Sequence, residues 1–251
     1  MRRRSELRPA PSPEDHLRHA LEAPDPVSRA RAARAGLASR PEDLSSDTQA
    51  LLLRQLYLAH LERHRFRRAA LIAQQMASIC PWRDPSSLRD VAHHDAARAL
   101  AAAGEIEGAV AEMRLASRAA PASRRAFHRW SLATLLHFVG REDEALAELR
   151  RAEQWGTRIR PLVRAHRAYL QLERGQEPDG IDAIIAALES TPARDGYGQF
   201  LLGMIHVLRR HPERAAPCLR TFIERNEAAP LAKRITLREE LRRARAALGA
   251  L

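Results

Sequence analysis

The chain has 251 residues, 45% hydrophobic but only 4% aromatic, with a formal charge of +11. That length can bury a substantial core, and an apolar mass made mainly of Ala and Leu favours helix over strand. No stretch alternates apolar and polar residues at strand spacing, and no apolar run approaches the about 20 residues that span a bilayer, so neither a sheet nor a membrane span is expected.

The base is almost all Arg, with Lys233 the single lysine and Asn226 the single asparagine. Such a skew fits a G- and C-rich codon supply more than selection for phosphate contacts, so charge is a weak guide to function. Cys80 and Cys218 lie far apart on apolar helix patterns, without disulfide or zinc spacing, which suits a reducing cytoplasm.

In chain order, residues 1–11 read as a disordered arm. MRRRSELRPAPSPEDH opens on positive charges with no apolar run behind them, unlike a signal peptide. Residues 12–48 read as an irregular helical pair covering one end of the protein. Ser12 is its N-cap with Pro13 in the first turn, and Asp25-Pro26 opens the second helix.

From 49 to 229 one pattern recurs. AGEIEGAVAEMRLASRAAP places Gly104, Ala109, Met113, Ala116 and Pro121 at spacings found again in Gly140, Ala145, Leu149 and Ala152. Gly175, Gly180, Ile184, Ala187 and Pro192 form a third copy. Weaker copies put His64 and Arg210 at the glycine position, with Ala69, Met76 and Pro81 in one, and Leu202, Gly203, Ala215 and Leu219 in the other. The glycine ends a helix where left-handed backbone is needed. The alanines let helix backbones approach, the larger residues fill between them, and the proline stops the second helix.

These units, at 50–83, 90–123, 126–159, 161–194 and 196–229, resemble the tetratricopeptide repeat. The resemblance implies an all-α, right-handed solenoid of stacked helix-turn-helix pairs, with the first helix of each unit lining a concave groove. Family positions carried onto this chain put His94, Arg98, Phe127, Trp130, Thr134, His137, Phe138, Leu162, Tyr169, Leu172, Tyr197, Phe200 and Met204 in that groove. These rings are either binding anchors or, if the register is displaced, inter-helix core. The family's carboxylate clamp needs Lys and Asn in the groove, and this chain has neither there.

Residues 230–251 read as a capping helix, with Thr236 and Glu239 as a capping box and Leu237, Leu241, Ala244 and Leu248 as one apolar stripe.

Catalytic motifs are absent: no GxSxG, P-loop or GxGxxG stretch occurs. His60 and His64 stand four apart without a third ligand, and His93-His94-Asp95 point different ways on a helix, so no metal, cofactor or small-molecule substrate is expected. Two basic clusters remain, Arg63, Arg65, Arg67 and Arg68 in one turn and Arg124, Arg125 and Arg129 near a helix start. The expected function is therefore a non-enzymatic scaffold. Its groove takes an amphipathic helix or an extended apolar segment of another protein. The alternative is a nucleic-acid-associated regulator that holds phosphate along these arginines.

Overall fold

The computed structural model describes residues 11–81, 87–156, 158–191 and 196–251. Among them there is no strand, and the helices pack in adjacent pairs. The first pair is α1 (Pro13–Glu22) and α2 (Pro26–Leu37). Five further pairs follow: α3 (Ser46–Glu62) with α4 (Phe66–Ile79), α5 (Arg89–Ala103) with α6 (Ile106–Ala119), and α7 (Ala122–Phe138) with α8 (Glu142–Trp155). The last two pairs are α9 (Arg160–Glu173) with α10 (Ile181–Glu189) and α11 (Tyr197–Leu208) with α12 (Pro212–Glu227). The chain then turns into α13 (Leu231–Thr236) and α14 (Arg238–Gly249).

The helix starts expected at 12–13 and 25–26 are present. Ser12 accepts from the Asp15 amide and Asp15 reaches back to the Ser12 amide, a full capping box. Asp25 accepts from the amides of Val27 and Ser28. This pair is fixed to α3 by Thr48 donating to Glu14 at 3.0 Å and by an Arg29–Glu62 ion pair at 2.7 Å.

The five turns share one construction. One or two residues after the first helix the backbone turns left-handed in each: His64 (φ 55°), Gly104 (82°), Gly140 (79°), Gly175 (69°) and Arg210 (59°). The next amide then donates to the carbonyl five residues back, at 2.9 Å from Arg65, Glu105, Arg141, Gln176 and His211 alike. Two of the five therefore hold a side-chain-bearing residue in a conformation that disfavours a Cβ by about 1 kcal/mol. Arg210→Gly is expected to stabilise the protein by roughly that amount in urea unfolding. An unchanged or lower midpoint would count against the strain.

Behind each turn the small positions close up. Ala69, Ala109, Ala145 and Ala215 are all fully buried, as are Ala116, Leu149, Ala152 and Leu219. The fourth unit departs from the expected register. Gln176–Gly180 lengthens its turn, so Ile181, Ile185 and Leu188 are the buried positions while Ala187 is exposed. The stops after α4 and α6 fall at Pro81 and Pro121. Pro192, and most of the extended connection after Pro81, lie outside the described residues, as do ten residues of the N-terminal arm.

Residues 230–251 differ most from expectation. They form two helices, not one cap, because Thr236 ends α13 with its hydroxyl on the Lys233 carbonyl. The Thr236–Glu239 capping box does not form, and Glu239 binds Arg242 and Arg243 instead. The apolar stripe holds, with Leu237, Leu241 and Ala244 buried and Leu248 packed on the core. From the end of α12, α13 runs back to α3 and α5, where Ile235 joins the core of the early helices; α14 then returns to α11 and α12. The segment thus lies across the first helices of the units, on what we call the inner face.

Candidate functional site

Folding of α13 and α14 onto the inner face leaves a cavity of about 470 Å³ between them. Its walls come from α5, α6, α7, α11 and α12 on one side and from Lys233 to Glu240 on the other. Of the expected groove residues, Arg98, Phe127, Trp130, Thr134, Phe138 and Tyr197 line it. A second hollow of about 330 Å³, between α3, α5 and α13, contains His94 and shares Arg98 with the first. The rings form a continuous chain: His94 to Phe127 at 5.5 Å, Phe127 to Trp130 at 6.2 Å, and Trp130 to Tyr197 edge-on at 4.9 Å.

The other expected groove residues sit elsewhere. Tyr169 and Phe200 are wholly buried, and Met204 and His137 nearly so, between the helices of the later units. Leu162 is likewise buried, and Leu172 packs against the same cluster. The physical reason is the late register. In α9 and α11 the turn of helix facing the neighbouring pair carries the aromatic, leaving Tyr197 as the one ring of α11 in the cavity wall.

The C-terminal segment is held on this face by polar bonds as well as apolar contact. Arg98 donates to the Thr236 carbonyl at 3.2 Å, and Arg238 donates to the carbonyls of Ala101 and Ala102 at 3.1 Å. Both carbonyls belong to the last turn of α5, where Ala101 also accepts from the Gly104 amide. The Tyr197 hydroxyl lies 3.3 Å from Glu240, whose carboxyl is pushed up by burial. Arg243 lies over the Phe138 ring at 4.6 Å and reaches both Tyr169 and Glu173.

Glu173 ends a buried relay that no sequence signal marked. The Trp130 indole N–H donates to His166 Nδ1 at 3.1 Å, which leaves the proton of His166 on Nε2. That proton faces His137 Nδ1 at 2.9 Å, so His137 carries its own on Nε2 and donates it to Glu173. The His166 ring is satisfied only when neutral. Burial, then the neighbouring His137 and Arg243, hold His166 well below the ordinary histidine range. Repeated histidines at 137 and 166 on the inward side of α7 and α9 were the available clue, and His137 alone was picked out.

A second buried cluster joins α5 to α7. Asp90, 1% exposed, takes both nitrogens of the Arg124 fork at 2.7 and 2.8 Å and His128 at 2.8 Å. Burial opposes its charge, yet the bonds from His128 and Arg124 hold the carboxyl well below its usual range. Arg129 is likewise paired with Glu148, and Arg125 stacks over Trp155. The arginines expected as a phosphate-binding patch at 124, 125 and 129 are thus engaged within the protein. In the other cluster Arg67 pairs with Glu105 of the next unit, while Arg65 and Arg68 are exposed. The same unit-to-unit pairing recurs in Arg141–Glu107, Arg174–Asp143 and Arg209–Asp182.

His60 and His64 do not share a helix face, because α3 ends at Glu62 and His64 occupies the turn. His93 binds Glu112, and His94 packs against Phe127 and His128. Among the described residues no three His, Cys, Asp or Glu side chains are grouped to hold a metal, and no helix is long and apolar enough to cross a membrane. No protein-family model matches the chain, and no curated protein matches it.

Proposed function

We propose that this chain is a non-enzymatic scaffold of the tetratricopeptide kind, a right-handed stack whose inner face receives an amphipathic helix from a partner protein. The observation that carries the reading is the seat of α13 and α14. The protein's own segment, apolar through Ile235, Leu237 and Leu241 and basic through Arg238 and Arg243, already lies on that face. A face that accepts one such helix has the shape, the rings and the carbonyl and carboxylate acceptors to accept another. The partner helix then competes with the segment, and the affinity seen from outside is reduced by the fraction of molecules in which the face is covered.

The test loosens the segment without removing it. Arg238→Glu with Arg243→Glu turns two attractive contacts into repulsive ones. Affinity purification with the double variant is expected to recover several-fold more of a specific partner than the wild type. Phe127→Ala with Trp130→Ala is expected to recover less. Equal recovery of every protein in all three would remove the inner face from the reading.

A further inference from the structure

We propose that the cavity between the inner face and the C-terminal segment binds a small amphiphile with an apolar body and an anionic head, in chemical class a medium-chain carboxylate. At about 470 Å³ it lies within the ~300–1,000 Å³ of small-molecule sites. Its body is apolar and aromatic, from Met113, Phe127, Trp130, Phe138 and Phe222. On one side Arg98, Lys233 and Thr236, with Leu237, form a wall shared with the second hollow.

Charge decides the head group. Arg98, Lys233 and Arg238 bring positive charge to the cavity wall, and Arg225, which also lines it, is already engaged. Arg98 donates to the Thr236 carbonyl and to His94 and lies within electrostatic reach of Glu240, whereas Arg238 places its N–H groups on backbone carbonyls, which do not neutralise its charge. The Lys233 side chain is exposed and has no hydrogen bond or ion pair among the described residues. Two carboxylates also line the site, but neither opposes an anion strongly. Glu239 is bound by Arg242 and Arg243, and Glu240 is buried against the Tyr197 hydroxyl. An anion therefore meets a net positive wall, and a cation meets a repulsive one. The site differs from the partner surface proposed above in that its occupant lies beneath the segment, and it stands or falls without any partner.

The full chain, titrated calorimetrically with decanoate below its micelle concentration, is expected to show one saturable site. Octanoate, two methylenes shorter, is expected to bind about fifteenfold more weakly, from roughly fourfold per methylene. Decyltrimethylammonium, with the same tail and the opposite charge, is expected to bind far more weakly than decanoate. Lys233→Glu, on an exposed side chain, is expected to weaken decanoate several-fold with unchanged circular dichroism, and Thr134→Phe to abolish binding by filling the space. Absence of binding at millimolar decanoate, equal binding of the cationic surfactant, or a Lys233→Glu variant indistinguishable from wild type would each overturn the proposal.

Discussion

Phe200→Ala is expected to destabilise the protein by about 3–5 kcal/mol, the range for emptying a ring from a packed core. Phe200 has no exposed surface and meets Phe138, Tyr169, Tyr197 and Phe222 edge-on or tilted at 5.3–6.5 Å. Phe127, taken from the sequence as an equivalent groove ring, is 39% exposed, and its alanine variant is expected to cost less than about 1 kcal/mol. Chemical denaturation of the two variants separates ring as core from ring as surface. Similar losses for both would mean that α7 and α11 are not packed as described.

Acidification from pH 7 to pH 4.5 is expected to remove several kcal/mol of stability, before most carboxylates titrate. Four histidines are held below the ordinary value near 6.5: His60, His94, His166 and His206, with His94 pushed down to about 4. Burial is the leading cause in each. A base with a depressed folded pKa is neutral in the native protein and protonated in the unfolded chain. The unfolded state then binds more protons, and stability falls as pH drops below about 6.5. Each such group contributes up to about 1.4 kcal/mol per pH unit until its folded pKa is reached. His166→Gln, which removes one titrating member of the relay, is expected to flatten the profile by about that slope. A wild-type midpoint independent of pH between 7 and 5 would rule out neutral buried His60, His94, His166 and His206. The depressed carboxyls of Asp90 and Glu173 act with the same sign but lower on the pH scale, their contribution being lost as pH falls through about 4.5 and below.

The repeated spacing of Gly104, Ala109, Met113 and Ala116 made the paired helices legible, because turn geometry and close packing act within one unit and leave a local signature. That signature survived the loss of glycine at His64 and Arg210, where the same left-handed turn forms. It failed by one residue in the fourth unit, where Gly180 is itself a second left-handed residue in a longer turn. The inner face was legible only in part. Phe127, Trp130 and Tyr197 could be assigned from position along a first helix, but which rings meet a neighbouring pair depends on how the helices rotate against one another. The fold-back of 230–251 left almost no trace. Leu231 and Ile235 are apolar in a short stretch after Pro230, and only their contacts with the early helices explain it. Buried bonds such as Trp130–His166 and Asp90–Arg124 join residues on different helices, so no spacing in the chain announces them.

A stack of helix pairs can ordinarily be assembled as it is synthesised, since each pair needs only its neighbour. Here the Arg98–Thr236 bond joins residues 138 apart, and Ile235 completes a core whose other buried members lie before position 110. At a translation rate of about 5–20 residues per second, the early pairs wait roughly 7–28 s with that face bare. During that interval the nascent chain offers chaperones an apolar surface that the finished protein hides.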